Sequence, residues 1–262
     1  MKVCIASFSF HGLIGAGMMD VFGYLESCKY RYHLDSADFW NGLLGRDEKV
    51  YLQEDFLKKV KEALAEREMS LANYHADGCH PWDDKPEARE KNHASALAHL
   101  RAAAYLGAKT MRIDAGGKGN VWTDEQFDHI VTRLREYCRI GGDAGFRVGP
   151  ESHWGPELVP DNMERLARAV DHPAFGILMH IGHWEGVAEE EGDRRLAPWA
   201  CHTHLDARIT RTRLESAMKL LTVAGYQGYW GVEHHTAKNE YAEVAYQLAE
   251  VRRVLEKMRQ GL

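Results

Sequence analysis

The sequence lacks the features that direct a chain to a membrane, to export or to nucleic acid. No segment approaches the roughly 18 consecutive apolar residues of a membrane span. The net charge of −6 leaves no surplus of lysine and arginine for neutralising phosphates. The apolar start is not a typical export signal, because Val3–Phe10 is short and no small-residue cleavage site follows it. We therefore expect a cytoplasmic protein with neither a membrane nor a nucleic-acid partner.

The sequence also lacks a disulfide framework and the common nucleotide loops. Its five cysteines are an odd number without a Cys-x-x-Cys pair, which favours reduced, buried thiols. Gly12–Gly17 does not have the Gly-x-Gly-x-x-Gly spacing of a dinucleotide site, and Gly116–Gly119 lacks the Gly-Lys-Ser/Thr ending of a phosphate loop. We interpret both segments as ordinary loops, which argues against an open, doubly wound sheet.

What the sequence does contain is a regular alternation of strand-like and helix-like segments. The strand-like segments are Lys2–Ser7, Tyr30–Asp35, Ser70–His75, Ala108–Asp114, Phe146–Glu151, Phe175–His180, Trp199–His204 and Gly228–Glu233. The helix-like segments are Met18–Cys28, Gln53–Glu68, Lys85–Leu106, Thr123–Ile140, Glu157–Val170, Thr212–Ala224 and Asn239–Met258. Such an alternation, without a linker or a change in composition, predicts an α/β fold made of a single (β/α)8 TIM barrel over residues 1–262.

Local signals support the helix ends and single out one exception. Thr123 and Gln126 have the spacing of a capping box. Gly107 follows a helix-like segment at the position where a left-handed residue is favoured. The exception follows the sixth strand, where the charged segment Glu189–Arg195 is predicted to be a solvated loop.

Glutamate and histidine follow predicted strands at the point where the strands end. Glu151 and His153 follow the fifth strand, and Glu233 follows the eighth. Catalytic groups of TIM barrels lie at the carboxyl ends of the strands. Since side chains alternate along a strand, Gly149 shares a face with Glu151 and Gly231 with Glu233, which leaves room beneath each carboxylate. Two buried carboxylates would each cost roughly several kcal/mol without a counter-charge, so we predict a divalent metal at the barrel mouth.

Four short motifs make the sequence resemble a known family. The motifs are Pro150–His153, Met179–His183, His202–His204 and Gly231–Glu233. Following the fifth to eighth strands in this order, they are similar to the xylose isomerase-like barrels, a group of sugar phosphate isomerases and epimerases that also contains the apurinic endonucleases. The resemblance extends over nearly the whole chain. It implies a metal ion bound by Glu151, His180, His204 and Glu233.

One residue departs from the family pattern. His180 occupies the position where the family has aspartate in an Asp-x-x-His motif, whereas His183 keeps the histidine of that motif. Two imidazoles and two carboxylates favour Mn²⁺, Fe²⁺, Co²⁺ or Zn²⁺ over Mg²⁺. The alternative is a site that binds no metal, in which His180 donates a hydrogen bond to the substrate.

The resemblance implies a metal-dependent isomerase or epimerase that acts on a sugar or a polyol-derived keto compound. Glu151 and Glu233 would be the catalytic carboxylates on opposite faces of the substrate, moving a proton next to a carbonyl while an ene-diolate is held on the metal. The same proton abstraction would begin a lyase reaction on a keto-inositol or a dehydroshikimate-like compound. A metal-free barrel that only binds a small molecule is the remaining alternative, whereas acidic and aromatic loops argue against an endonuclease.

Residues around the predicted mouth are candidates for binding the substrate, which we expect to be a small sugar, polyol or keto acid. The candidates are His153, His183, Arg208, His75 and Trp154, with Arg211 second to Arg208. A histidine at a strand end, such as His75, is nevertheless more often structural. The sequence leaves open whether His202, His235 and Asp114 enter the pocket. It also leaves open a homodimer, which is common among barrels of this family.

Overall fold

The computed structural model describes residues 2–261, which form a parallel β-barrel surrounded by helices. The strands are β1 (Val3–Ile5), β2 (Ser36–Trp40), β3 (Ser70–His75), β4 (Thr110–Arg112), β5 (Arg147–Gly149), β6 (Ile177–His180), β7 (Ala200–Leu205) and β8 (Trp230–Val232). The α-helices are α1 (His11–Gly15), α2 (Val21–Glu26), α3 (Asn41–Leu44), α4 (Glu48–Tyr51), α5 (Glu54–Glu66), α6 (Pro86–Leu106), α7 (Asp124–Asp143), α8 (Pro160–Val170), α9 (Glu189–Leu196), α10 (Ala207–Thr212), α11 (Leu214–Val223) and α12 (Glu240–Arg259). The predicted TIM-barrel fold is confirmed.

Two parallel ladders form most of the barrel wall, in the orders β2-β3-β4-β5 and β1-β8-β7-β6. Main-chain hydrogen bonds join β5 to β6: the Gly176 amide donates to the Val148 carbonyl at 3.1 Å and the Leu178 amide to the Pro150 carbonyl at 3.0 Å. The hydrogen bonds between β5 and β6 therefore join the two ladders into one continuous sheet at this point. The carboxyl ends of β5 to β8, where the candidate ligands lie, meet at one edge.

The seam between β1 and β2 is closed differently. Only an isolated parallel bridge joins these strands, and side-chain hydroxyls make further links. The Tyr24 hydroxyl, from α2, donates to the Ile5 carbonyl at 2.5 Å and accepts from the Asp38 amide at 3.0 Å. The Ser36 hydroxyl donates to the Val3 carbonyl at 2.7 Å. Side chains thus replace part of the ladder at this seam.

The helix ends follow local chemistry. Thr123 caps α7 in the predicted capping box, since its hydroxyl accepts from the Gln126 amide at 3.3 Å and its own amide donates to the Gln126 side chain at 2.8 Å. Gly107 ends α6 with φ +78°, a conformation that costs glycine nothing. Each helix in the described part of the chain is too short or too polar to cross a bilayer.

The predicted second strand was wrong. Tyr30–Asp35 alternates apolar and polar residues as a strand does, but α2 continues into a π-helical turn over Ser27–Arg31. The Tyr32 amide donates to the Ser27 carbonyl at 3.0 Å, and Tyr32 and Leu34 are buried in the hydrophobic core. The strand begins only at Ser36, which moves the strand's carboxyl end by five residues relative to the prediction.

The predicted loop at Glu189–Arg195 was also wrong, because this segment forms helix α9. Three glutamates occupy its first turn and two arginines its last, the charge order that a helix dipole favours. The buried Asp193 carboxylate accepts from the Gly182 amide at 2.9 Å and from the Trp184 indole at 2.8 Å, which holds the helix against the loop after β6.

Alternation along the strands sends polar side chains into the barrel and apolar ones towards the helices. On β3, Asn73 and His75 lie inside, whereas the Tyr74 hydroxyl lies 2.8 Å from Nδ1 of the buried His99 on α6. Burial lowers the pKa of His99 to about 4. The native protein therefore keeps this imidazole neutral at a pH where the unfolded chain is protonated.

We expect His99 to make the free energy of unfolding depend on pH. Below about pH 6.5 the unfolded chain gains a proton that the native protein accepts only near pH 4, so stability is lost across this window as the pH falls. In His99→Phe, the loss measured by urea unfolding between pH 7 and pH 5 should be smaller than in the wild type by about 2 kcal/mol. His33→Asn, at an exposed position with φ +54° that asparagine tolerates, should leave the loss unchanged. Equal losses in His99→Phe and the wild type would contradict the assignment.

Candidate metal centre

Four candidate ligands meet at the carboxyl ends of β5 to β8. Glu151, His180, His204 and Glu233 are buried, and each offers one ligand atom within 4.8 Å of the others. Nδ1 of His204 lies 2.9 Å from Oε1 of Glu151 and 3.4 Å from Oε2 of Glu233. Nδ1 of His180 lies 3.2 Å and 3.6 Å from the same two atoms. The structure thus brings together the four residues that the sequence suggested, and we call them the metal cluster.

Gly231 is needed for this packing. A Cβ atom there would lie 2.7 Å from the Thr203 carbonyl oxygen and 3.2 Å from both the His202 and the His204 rings. The contact with the Thr203 carbonyl oxygen is too short for a real Cβ, and the contacts with the two rings are tight, so a larger residue would force the β7 backbone or these rings to shift. The glycine below Glu233 therefore makes room for the metal cluster, as expected from the sequence.

The buried groups of the metal cluster shift one another's pKa values. Burial lowers the pKa of His180 to about 4, so this imidazole is neutral. Burial is the largest single influence on both glutamates and by itself would raise their pKa values. The combined effects of Arg112 and the neighbouring histidines at Glu151, and of His204, His235 and His180 at Glu233, nevertheless leave both carboxyls with lowered pKa values. The two glutamates in turn raise the pKa of His204 above its ordinary value, against the effect of burial.

Arg112, at the end of β4, is the main counter-charge. Its guanidinium is almost fully buried and forms a bidentate pair with Asp114, through Nε at 2.9 Å and Nη2 at 2.5 Å. Nη1 lies 2.8 Å from Oε2 of Glu151. Asp114, for which the sequence left open whether it enters the pocket, thus binds Arg112 and also accepts from the Glu151 amide at 3.2 Å.

Two candidate substrate contacts lie on the β5 side of the metal cluster. Arg112 donates to Nδ1 of His153 at 2.7 Å, which leaves the proton of this imidazole on Nε2. The ring of His153 stacks on Trp154 with centroids 4.4 Å apart, and Trp154 is half exposed. Trp154 also lines a cavity of about 610 Å³ together with residues of the loops after β3 and β4.

The candidates on the β6 and β7 side differ in their surroundings. Nε2 of His183 lies 3.2 Å from Oδ2 of Asp206, and its ring stacks on His180 with centroids 3.6 Å apart. Arg208 forms an ion pair with Glu189 of α9, and Arg211 lies 2.7 Å from Glu243 of α12. His183 therefore adjoins the metal cluster, whereas both arginines are paired with carboxylates of neighbouring helices.

His75 and His202 lie below the metal cluster inside the barrel, where both are buried. His75 accepts from Nη1 of Arg112 at 3.2 Å, and its Nε2 lies 3.1 Å from Asp38. Nε2 of His202 lies 2.8 Å from Asp38. These contacts make His75 and His202 part of the barrel interior rather than of the mouth. His235, by contrast, is at the mouth, with Nε2 2.9 Å from Glu233.

The sequence did not point to three buried charged residues of this region. Asp38 was hidden by the misplaced second strand. Arg112 stands two residues before Asp114, so alternation would have placed both on one face. Glu157 was interpreted as the start of a helix, but its Oε1 accepts from the Ala115 amide at 2.5 Å and burial, together with the charge of Asp114, raises its pKa.

Comparisons with known proteins agree with the barrel fold. No curated protein sequence matches the chain. A D-tagatose 3-epimerase-like protein superposes with a TM-score of 0.74 at 17% identity, covering 98% of this chain and 100% of that one. The probable 3-DHS dehydratase of Bacillus anthracis has a TM-score of 0.70 at 15% identity over 96% and 98% of the two chains. A xylose isomerase-like TIM barrel protein from Mycobacterium smegmatis, in complex with magnesium, has a TM-score of 0.66 at 16% identity over 88% and 89%. Residues 34–258 match the family model described as xylose isomerase-like TIM barrel, so the chain belongs to that family.

Proposed function

We propose that the protein is a metal-dependent isomerase or epimerase of a small sugar or polyol-derived keto compound, acting as one barrel domain over residues 1–262. The observation that carries the proposal is the buried metal cluster of two carboxylates and two imidazoles. Buried carboxylates are stable only beside a counter-charge, and a cation between them would meet that need. The fold relatives include an epimerase-like protein and a probable dehydratase, which supports sugar-modifying chemistry.

The donor atoms of the metal cluster fit a divalent ion. His180 is neutral, its Nδ1 faces both glutamates, and its Nε2 has no hydrogen-bond partner within residues 2–261. Two nitrogen and two oxygen donors suit Mn²⁺, Fe²⁺, Co²⁺ or Zn²⁺ better than Mg²⁺. When bound, such an ion would supply Lewis-acid stabilisation of the negative charge that develops on a substrate oxygen.

The residues around the metal cluster would bind the substrate and move its proton. Glu151 and Glu233 are ionised, so either can accept a proton from the carbon next to a carbonyl. Nε2–H of His153 and the His183 imidazole would bind substrate hydroxyls, and the half-exposed Trp154 would pack against the carbon skeleton. Arg208, already paired with Glu189, would contribute an outer contact.

A lyase is the second candidate, favoured by the pair of His183 and Asp206. An imidazole held by a carboxylate at 3.2 Å can carry a proton and deliver it to a departing hydroxyl. Loss of that hydroxyl as water, after removal of the neighbouring proton by a glutamate, would give an unsaturated product. Ultraviolet absorbance of the product would distinguish this reaction from isomerisation.

We expect the purified protein to contain about one equivalent of Mn, Fe, Co or Zn, and His180→Ala to lose it. Elemental analysis of both proteins measures this directly. His172→Ala, which changes a histidine outside the metal cluster, is the matched control and should retain the metal. Metal-loaded protein should also exchange the α-proton of a ketohexose such as D-tagatose with D₂O, measured by ¹H NMR. A wild type that holds no metal, and gains none on addition of these ions, would overturn the proposal in favour of a metal-free binding barrel.

A further inference from the structure

Asp38 is a fully buried carboxylate inside the barrel, below the metal cluster. Its Oδ1 accepts from the Asn73 side-chain amide at 3.1 Å and lies 3.1 Å from Nε2 of His75. Its Oδ2 lies 2.8 Å from Nε2 of His202 and 3.2 Å from Nε2 of His204. Three of these nitrogens, on Asn73, His202 and His204, are placed for hydrogen bonds that an ionised carboxylate can only accept, whereas His75 Nε2 lies close to Asp38 without a hydrogen bond.

The two nitrogens of His204 face different groups. Nδ1 faces Glu151 and Glu233 of the metal cluster, whereas Nε2 faces Asp38. A neutral imidazole carries one proton, and a nitrogen that binds a metal ion must be free of it. His204 can therefore bind a metal through Nδ1 only if its proton is on Nε2, towards Asp38.

We propose that Asp38 is a positioning residue that fixes His204 in the Nε2–H tautomer, so that Nδ1 is presented to the metal. This inference rests on the metal site of the proposed function. The Asp38 carboxylate is itself held by other donors: the Asn73 side-chain amide donates to Oδ1 at 3.1 Å, and Nε2 of His202 lies 2.8 Å from Oδ2. Asn73, His202 and Asp38 thus form a hydrogen-bonded group that reaches His204 beneath the metal cluster.

Outer carboxylates of this kind typically change metal affinity by about 10- to 100-fold when removed. Asp38→Asn keeps the size of the side chain but offers an amide N–H that can donate to Nε2. That contact would favour the wrong tautomer of His204, with the proton on Nδ1. A similar substitution of a histidine-orienting aspartate lowers the activity of a serine protease through the wrong tautomer.

The test compares Zn²⁺ affinity in the wild type, Asp38→Asn and Asp193→Asn by competition with a chromophoric chelator. Asp193 is an equally buried carboxylate that holds α9 and does not touch the metal cluster, so its variant controls for the loss of a buried charge. We expect the Kd for Zn²⁺ to rise about 10- to 100-fold in Asp38→Asn and to change little in Asp193→Asn. A Kd for Asp38→Asn within about threefold of the wild type would overturn the inference.

A second measurement needs no variant. In the Zn²⁺-loaded wild type labelled with ¹⁵N-histidine, long-range ¹H–¹⁵N spectra should show His204 with its proton on Nε2 and the metal on Nδ1. Ligation through Nε2 would overturn the inference even if Asp38→Asn failed to fold. Two Zn²⁺ equivalents in the wild type and one in Asp38→Asn would also overturn it, since Asp38 would then be a ligand. A wild type without any Zn²⁺ affinity would overturn the proposed function and this inference together, whereas a normal Zn²⁺ site insensitive to Asp38 would overturn the inference alone.

Discussion

We expect Glu233→Gln to lose about 10³-fold in kcat while it keeps its fold. Glutamine has the shape of glutamate but cannot accept the substrate proton, and its neutral amide oxygen is a weaker metal ligand than a carboxylate oxygen. Glu233 is buried beside His204 and His235, with Oε2 3.4 Å from Nδ1 of His204 and 2.9 Å from Nε2 of His235. Solvent deuterium incorporation into a ketohexose, measured with the metal content of the same sample, gives the result. Glu151→Gln should behave in the same way.

The metal content separates the two roles of Glu233. A variant that retains the metal but not the proton exchange would show that the carboxylate acts as the base, and loss of both would show that it is mainly a ligand. Glu136→Gln is the matched control, because Glu136 pairs with Arg133 on the outer face of α7 at 3.2 Å. Proton exchange in Glu233→Gln and Glu151→Gln at close to the wild-type rate would contradict the catalytic assignment.

We expect Arg112→Met to lower the free energy of unfolding by about 3–5 kcal/mol. Methionine keeps the length of the side chain but leaves two buried carboxylates, Asp114 and Glu151, without the guanidinium that now lies 2.5 Å and 2.8 Å from them. A loss of this size is a large part of the total of about 5–15 kcal/mol that is typical of a domain. Urea unfolding of chelator-treated protein measures it without a contribution from bound metal.

Arg253→Met provides the control for Arg112→Met. Arg253 lies 2.8 Å from Glu250 in a surface pair, which solvent screens. Its removal should leave the free energy of unfolding unchanged within the error of the measurement. A loss below about 1 kcal/mol in Arg112→Met would mean that Asp114 and Glu151 find other partners or take up protons.

The barrel and the residues of the metal cluster could be predicted because their signals are local. Alternation and strand ends placed Glu151 and Glu233 at the barrel mouth, and the family resemblance implied His180 and His204 as the other two ligands. Asp38 was beyond this reasoning, because β2 starts only after a π-helical turn that extends α2. The apolar residues Tyr32 and Leu34, which make Tyr30–Asp35 look like a strand, are instead buried in the hydrophobic core outside any strand.

Ion pairs between residues far apart in the chain were the other feature that could not be predicted from the sequence. Arg208 lies just beyond β7 and was expected to bind the substrate. It instead forms an ion pair with Glu189 of α9. This pairing depended on α9 being a helix, which the density of charges in Glu189–Arg195 obscured. Arg112 carries no motif of its own, and its importance arises from Asp114 and Glu151 approaching it from the same and the neighbouring strand.

Between β1 and β2 the barrel is closed largely by side-chain hydrogen bonds, which depend on individual residue types. A main-chain ladder is the same whatever side chains it carries, so no point substitution other than proline removes its hydrogen bonds. At this seam the Tyr24 and Ser36 hydroxyls make links that a single codon change would delete. The Asp38 amide donates to the Tyr24 hydroxyl. A natural substitution of Tyr24 in the outer helix α2 would therefore change the position of Asp38 beneath the metal cluster.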